Sequence, residues 1–328
     1  MMKKTLLFTF AAFTALAVNA AKNFEITTSG ENLRTLTKVT DNEEPCMNPF
    51  GGEFGNDLFF AARENKKFWN IYKKDNVFST AMTQKTSGKN HNWSPCYNKQ
   101  LDKIAFRCQN EGSSTSDIFL MNNTKGKTLQ AITESPDAYE GHPSFSPDGQ
   151  YLIYDKQSYS FYKKVNFWSL FGFGGTTVAV EHSEVWLRNL KTGENVLIAN
   201  GYTPRFSPDG KSIAFVKYSS DAKSCSIWTM DMDGGNQVQI TDAKKGYAYN
   251  PCWSPDGKRI IFDAYKKDKK DTDLYIIDVD GNNLVQLTVN KSYDGQPYWS
   301  PDGYVYFVSD RGNKKENYQI WRFKLDEE

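Results

Sequence analysis

The chain has 328 residues, and its 40 basic and 39 acidic side chains leave a net charge of +1. That balance implies no bulk electrostatic partner and speaks against nucleic acid. Aromatic residues make up 15% of the chain, which suits a large β core. The five cysteines are an odd number, so at least one thiol stands outside any internal pairing.

Met1-Met2-Lys3-Lys4 is a basic start, Leu6 to Val18 is apolar, and Val18-Asn19-Ala20 suits a signal peptidase. Residues 1–20 therefore read as a signal peptide cleaved after Ala20. The apolar stretch is shorter than the roughly 20 residues of a membrane-spanning helix. No cysteine follows it for lipid attachment, and no second apolar span occurs. The mature chain, 21–328, is expected to be one periplasmic or secreted domain and a monomer. Phe24 to Thr28 has the pattern of an extra strand with no evident place. Gly30-Glu31-Asn32-Leu33-Arg34-Thr35-Leu36-Thr37 parallels Gly281-Asn282-Asn283-Leu284-Val285-Gln286-Leu287-Thr288. An N-terminal strand around Leu33 to Thr37 is thus expected to close the last repeat and hide its edge.

Ser-Pro-Asp-Gly recurs at 146–149, 207–210, 254–257 and 300–303, each time after an aromatic and before an apolar run. Trp93-Ser94-Pro95 and Pro45-Cys46-Met47-Asn48-Pro49 read as weaker copies. With the Ser (or Asn48) as the mark, positions 48, 94, 146, 207, 254 and 300 are separated by 46, 52, 61, 47 and 46 residues. A strand-rich repeat of roughly 40–50 residues predicts a β-propeller with one four-stranded blade per repeat. In the fifth copy, Tyr247 to Trp253 is an inner strand. The turn 254–257 uses Pro for its preset φ and Gly for the left-handed position. Ile260-Ile261-Phe262, Leu274 to Val279 and Leu284 to Thr288 supply the other strands. Such blades bury their faces only against neighbours, so the predicted fold is an all-β, six-bladed ring.

Four residues before each mark stand Glu44, Asn90, His142, Thr203, Asn250 and Gln296, all polar. These open the innermost strands and are expected to converge at the mouth of the central channel as a ligand-binding ring; the competing reading is a water-filled funnel. The third interval carries a surplus between Tyr159 and His182, with Phe167, Trp168 and Phe171 among its aromatics. Insertions in repeat proteins map to one face, often the binding face. These three are candidate partner contacts, with a hairpin folded onto its own blade as the equal alternative. The three histidines, 91, 142 and 182, do not form a metal-ligand set, and His91 and His142 read as ordinary polar residues near the channel. Asp231 to Asn236 and Asp278 to Asn283 lack the terminal Glu of a calcium loop and read as turns. No metal and no cofactor is expected, and the cysteines are expected to be buried and unpaired.

The pattern Trp-Ser-Pro-Asp-Gly, then Ile-x-Phe, then Ile-Trp-x-Met-Asp and Gln-Ile-Thr resembles the TolB-type six-bladed propeller family over nearly all of residues 24–325. The resemblance implies the fold far more than an activity. The group includes periplasmic TolB, propeller domains of prolyl-oligopeptidase-like peptidases and, more distantly, oligogalacturonate lyases. The lyases, as the resemblance implies, hold a metal with several His and a Gln in the channel. No Gly-x-Ser-x-Gly nucleophile elbow occurs, which excludes the peptidase reading. The expected function is a non-catalytic binding or scaffolding module for a protein or glycan partner in the cell envelope. The rival is a carbohydrate-active, lyase-like enzyme with its site in the channel.

Overall fold

A computed structural model describes residues 27–28, 35–51, 57–64, 67–124, 129–158, 182–220, 223–242, 246–265, 271–312 and 317–325. Among these, every regular element is a strand. β1 (Thr27–Thr28) and β2 (Thr37–Lys38) precede the repeats. The first unit holds β3 (Cys46–Gly51), β4 (Leu58–Glu64), β5 (Phe68–Lys74) and β6 (Thr83–Gln84). The second holds β7 (His91–Asn98), β8 (Lys103–Gln109), β9 (Asp117–Asn122) and β10 (Leu129–Ala131). The third holds β11 (Ala138–Phe145), β12 (Tyr151–Ser158), β13 (His182–Asn189) and β14 (Asn195–Asn200). The fourth holds β15 (Tyr202–Phe206), β16 (Ser212–Tyr218), β17 (Cys225–Asp231) and β18 (Val238–Gln239). The fifth holds β19 (Tyr247–Trp253), β20 (Arg259–Tyr265), β21 (Asp273–Asp278) and β22 (Val285–Gln286). Last come β23 (Asp294–Trp299), β24 (Tyr304–Ser309) and β25 (Gln319–Lys324).

Each unit is an antiparallel run in chain order, and β2 lies on the outer side of β25. A single parallel bridge, Cys225↔Tyr247, merges the fourth and fifth units into one nine-stranded sheet, which β1 extends beside β22. The innermost strands touch in sequence: β3 on β7, β7 on β11, β11 on β15, β15 on β19, β19 on β23, and β23 back on β3.

The core follows the same order, because an unpaired sheet face must be covered by its neighbour. Ile104 and Phe106 of the second unit join Phe59 and Ile71 of the first. Cys96 and Ala105 join Leu152 and Tyr154, and Ile153 and Val185 join Phe206 and Phe215. Val216 and Ile227 join Ile260 and Phe262, and Ile261 and Leu274 join Val305 and Phe307. Phe60 and Ala62 join Tyr306 and Ile320 at the last junction. Each fully buried Val, Leu, Ile or Phe among these contributes about 1.5–3 kcal/mol, so the weight of the stability lies between units.

The repeated turn explains its own residues. Ser146 Oγ donates to Asp148 Oδ1 at 2.6 Å, Asp148 accepts the Gln150 amide at 3.0 Å, and the Tyr151 amide donates to Ser146 Oγ at 2.9 Å. The same three bonds recur around Ser207 and Ser254. At Ser300 the turn is one residue shorter, closing on Tyr304, and the buried Ser300 Oγ has no hydrogen-bond partner. A second recurring device is a threonine after the outer strand. Thr86, Thr133, Thr241 and Thr288 each accept, on the hydroxyl, an amide of the third strand: Ile71, Ile118, Ile227 and Leu274.

Two expectations of register are corrected. The N-terminal pairing is Thr37↔Arg322 and Lys38↔Trp321, with Thr40 accepting the Ile320 amide. Thr40, and not Thr37, therefore takes the place of Thr288. Asn48 and Ser94 are not turn residues either. Both lie inside the inner strands β3 and β7, where an X-Pro pair imitates the Ser-Pro of the turn. The insertion aromatics Phe167, Trp168 and Phe171, like the signal segment, lie outside the described residues. The flanking strands β12 and β13 pair throughout from Tyr151↔Asn189 to Ser158↔His182.

Candidate functional site

Every innermost strand is interrupted by proline: 49, 95, 143, 204, 251 and 297. Proline has no N–H for the ladder and is tolerated in a sheet mainly at edges and bulges. The pairing accordingly slips at each one, between Met47 and Phe50, Trp93 and Cys96, Gly141 and Ser144, Tyr202 and Arg205, Tyr249 and Cys252, and Gly295 and Tyr298. The residue before each proline has positive φ: Asn48 51°, Ser94 49°, His142 47°, Thr203 49°, Asn250 50° and Gln296 53°. A pre-proline residue is ordinarily extended, and a left-handed non-glycine costs of order 1–2 kcal/mol.

The offsetting gain is visible at four junctions. The turned-out amide donates to a side chain of the preceding unit. The Gln296 amide donates to Asp263 Oδ1 at 3.1 Å, and the Asn48 amide to Gln296 Oε1 at 2.9 Å. The Ser94 amide donates to Asn48 Oδ1 at 3.3 Å, and the Thr203 amide donates to Asp155. The bulges thus lace neighbouring units together through polar groups at the inner edge of the sheets.

Four of the six sequence-derived residues, His142, Thr203, Asn250 and Gln296, share this position. Glu44 and Asn90 do not. They precede the bulge of their own strands by four residues, and Asn48 and Ser94 stand in their place. Glu44 Oε2 instead pairs with Arg63 Nε at 2.9 Å, and Asn90 bonds the Cys108 thiol. The recurring X-Pro dipeptide was the signal that would have aligned all six.

Behind two of the bulges lie aspartates that sequence reading missed. Asp155 on β12 is fully buried and faces His142, whose Nδ1 lies 3.0 Å from Oδ1 and 3.2 Å from Oδ2. Gln157 Nε2 donates to Asp155 Oδ2 at 3.0 Å. Burial alone would raise this carboxyl, but His142 and the hydrogen bonds outweigh it and hold it below the usual range. Asp263 on β20 has the same place behind Asn250, whose Nδ2 donates to it at 2.9 Å. With no cation beside it, burial pushes Asp263 up to about 7, only partly offset by Asn250 and the Gln296 amide. One position therefore holds an ionised carboxylate in the third unit and, two units further along the chain, a carboxyl poised near neutrality.

Arg205 on β15 was also missed. Its Nη1 lies 3.3 Å from the carbonyls of His142, Pro143 and Pro204. His91, in contrast to the expectation of an ordinary polar residue, is built into an aromatic stack. It lies 5.1 Å from Trp93 and 5.5 Å from Phe68, and burial, then Arg107, hold its pKa down. Arg107 itself lies over Trp93 at 4.3 Å and Tyr139 at 3.8 Å. At the junction of the fourth and fifth units Tyr202, Tyr218, Tyr247, Tyr249 and Tyr265 stack in a continuous cluster. A groove of about 500 Å³ lies between the turns of those two units, lined by Pro208, Asp209, Trp253, Pro255 and Asp256. Its aspartates are committed to the turns, so it offers little convergent chemistry. Among the described residues, no three His, Cys, Asp or Glu side chains are grouped to hold a metal ion.

Residues 187–328 match the family model of the TolB beta propeller domain. No curated protein matches the chain. Among solved structures, a candidate TolB from Agrobacterium tumefaciens superposes with a TM-score of 0.62 at 17% identity, covering 89% of this chain and 97% of that one. TolB from Acinetobacter baumannii gives 0.60 at 19% identity, over 84% of this chain and 66% of that one. Oligogalacturonate lyase from Vibrio parahaemolyticus gives 0.57 at 16% identity, over 93% and 97%. At these identities the likeness is one of fold. The family match covers residues 187–328, and by its repeats and four-stranded sheets the chain as a whole has a fold similar to that of the TolB-like β-propellers.

Proposed function

We propose that the protein is an exported, six-bladed propeller, closed by its N-terminal strand, that serves the cell envelope as a non-catalytic binding or scaffolding module. Residues 21–328 form its single domain, and its partner is a protein or a glycan. Support for the closed ring comes from the cyclic contacts of the inner strands and from Thr40, which repeats the role of Thr288. The observation that carries the binding reading is the series of pre-proline bulges, which puts His142, Thr203, Asn250 and Gln296 at one level of the inner strands. Strain held at six equivalent positions is a feature of sites whose geometry matters. Phe167, Trp168 and Phe171 are proposed as a second contact on the face from which the β12–β13 connection leaves.

The test is affinity capture from a native envelope fraction, alongside a glycan array. Parent protein is compared with His142→Ala, Gln296→Ala and the triple change of Phe167, Trp168 and Phe171 to Ser. The expected result is loss of a specific partner by variants that remain folded at the assay temperature. The melting temperature should be unchanged for the triple change and lowered for His142→Ala and Gln296→Ala, which unpair Asp155 and the Asn48 amide. Capture identical across all variants would sink the reading. The second reading, a carbohydrate-active enzyme, draws on the His142–Asp155 pair, in which a buried carboxylate orients an imidazole. It predicts turnover of an oligosaccharide that His142→Ala abolishes.

A further inference from the structure

We propose that the arc formed by Ser94, His142, Thr203 and Arg205 is a recognition site for a single carboxylate group on a peptide segment, with Arg205 as its anchor. The proposal rests on the binding reading above and names the chemistry of its ligand.

Arg205 stands two residues beyond the bulge of the fourth unit and is only partly buried. One guanidinium nitrogen, Nη1, rests against the His142, Pro143 and Pro204 carbonyls. Among the described residues the guanidinium makes no other hydrogen bond and no ion pair. Its cation also acts on the thiols of Cys96 in the second unit and Cys252 in the fifth. It therefore spans from its own unit to the bulge of the third. A fixed, planar guanidinium with unused N–H donors matches a carboxylate fork.

The neighbouring groups complete the set. His142 is held by Asp155 through Nδ1, which leaves Nε2 without a partner among the described residues. Ser94 and Thr203 occupy the bulges on either side of His142, in the second and fourth units. Their hydroxyls are more than nine-tenths buried and have no hydrogen-bond partner. Two orphaned hydroxyls are costly inside a protein unless something uses them.

The count of charges selects the ligand. From the pre-proline residue onward, the inner strands read Asn-Pro-Phe-Gly (48–51), Ser-Pro-Cys-Tyr (94–97), His-Pro-Ser-Phe (142–145), Thr-Pro-Arg-Phe (203–206), Asn-Pro-Cys-Trp (250–253) and Gln-Pro-Tyr-Trp (296–299). They carry one arginine and no lysine. A polyuronate would present a carboxylate on each sugar and call for several cations. One permanent cation with an imidazole and two hydroxyls suits one carboxylate, that of an Asp, a Glu or a chain terminus.

Selection of random heptapeptides, with free and with amidated C-termini, on the purified protein tests this, with Arg205→Gln and Arg205→Lys selected in parallel. Arg205→Lys retains the charge and keeps the test valid if Arg205→Gln melts early. The expected result is enrichment of Asp, Glu or a free C-terminus. A selected Glu peptide should bind the parent at least tenfold more tightly than its Gln counterpart, and this preference should fall in both variants. Selection of acid-free peptides, an undiminished preference in both variants, or displacement of the peptide by a short oligogalacturonate at lower concentration would overturn the proposal. Acid-free binders, or no peptide binder at all, would overturn this proposal and leave the binding module to be decided by the envelope capture and the glycan array.

Discussion

Thr40 and Ile320 lie 280 residues apart, yet the Thr40 hydroxyl accepts the Ile320 amide at 2.9 Å and donates to Gln319 Oε1 at 2.8 Å. Both ends of the chain meet in these two bonds, beside the short pairing of β2 on β25. Thr40→Val keeps the shape, leaves the buried Ile320 N–H unpaired and takes one of two donors from Gln319 Oε1, which still accepts the Asn42 amide at 3.2 Å. The expected loss is about 1–3 kcal/mol, or a few degrees of melting temperature at roughly 2–4 °C per kcal/mol. Thr288→Val, which makes the same change within one repeat, should lose about as much. A Thr40→Val melt that matches the parent, with Thr288→Val destabilised, would show that the terminal strand carries no load.

Thr203 is the one β-branched residue among the six pre-proline positions, and its hydroxyl finds no partner. Left-handed backbone is hardest for a branched side chain and easiest, after glycine, for asparagine. Asn48 and Asn250 already hold this conformation. Thr203→Asn is therefore expected to raise stability by about 0.5–1 kcal/mol, read in denaturant unfolding. A destabilised variant would mean that the strain at this site is not relieved by the side chain.

The architecture was legible because Ser-Pro-Asp-Gly has a distinctive chemistry, and each of its residues makes a bond that few others could. The inner strand was harder to read. Asn48-Pro49 and Ser94-Pro95 look like half of that turn, and only pairing reveals that their prolines sit four residues earlier, in the bulge. That slip misplaced Glu44 and Asn90 and left Asn48 and Ser94 unrecognised as site residues. The terminal strand slipped by three residues for a similar reason, since Leu36-Thr37 imitates Leu287-Thr288 as well as Val39-Thr40 does. Asp155 and Asp263 each close an apolar run, Leu152-Ile153-Tyr154 and Ile260-Ile261-Phe262. A carboxylate there marks a buried partner, but its identity depends on which unit lies alongside. Arg205 between Pro204 and Phe206 was the corresponding signal for a cation in the inner strand.

The two buried aspartates make opposite contributions to pH dependence. Burial raises the Asp263 carboxyl to about 7, well above the ordinary carboxylate range. A raised carboxyl favours the folded state fully below the unfolded value, and that contribution is lost as pH rises through about 7. Asp273, raised to about 6, acts in the same direction. Melting temperature should therefore fall from about pH 4 to about pH 7 and level off above, by an amount equivalent to at most about 4 kcal/mol from Asp263. Asp263→Asn keeps an acceptor for the Gln296 amide and should flatten most of this slope. A parent profile without a decline across that range would show that water or a rearrangement relieves the buried charge. Asp155, held low, is expected to contribute the reverse: stability present above the unfolded carboxyl value and lost in acid.

All five cysteines are buried and free in the structure. Burial pushes the thiols of Cys46 and Cys108 up to about 11, and those of Cys96 and Cys225 up to about 12; Cys252 is raised as well. The thiolate is the reactive form, so at neutral pH these side chains are protected twice, by access and by protonation. Each has a packing role at a junction between units, as with Cys252, whose sulfur accepts the Trp299 amide at 3.2 Å. The native protein is expected to resist a water-soluble thiol reagent for hours at pH 7.5 and to take up five equivalents once denatured without reductant. Mass spectrometry after alkylation distinguishes the alternatives. Three labels would indicate one disulfide, and rapid labelling of the native chain would indicate a junction that opens far more readily than this packing implies.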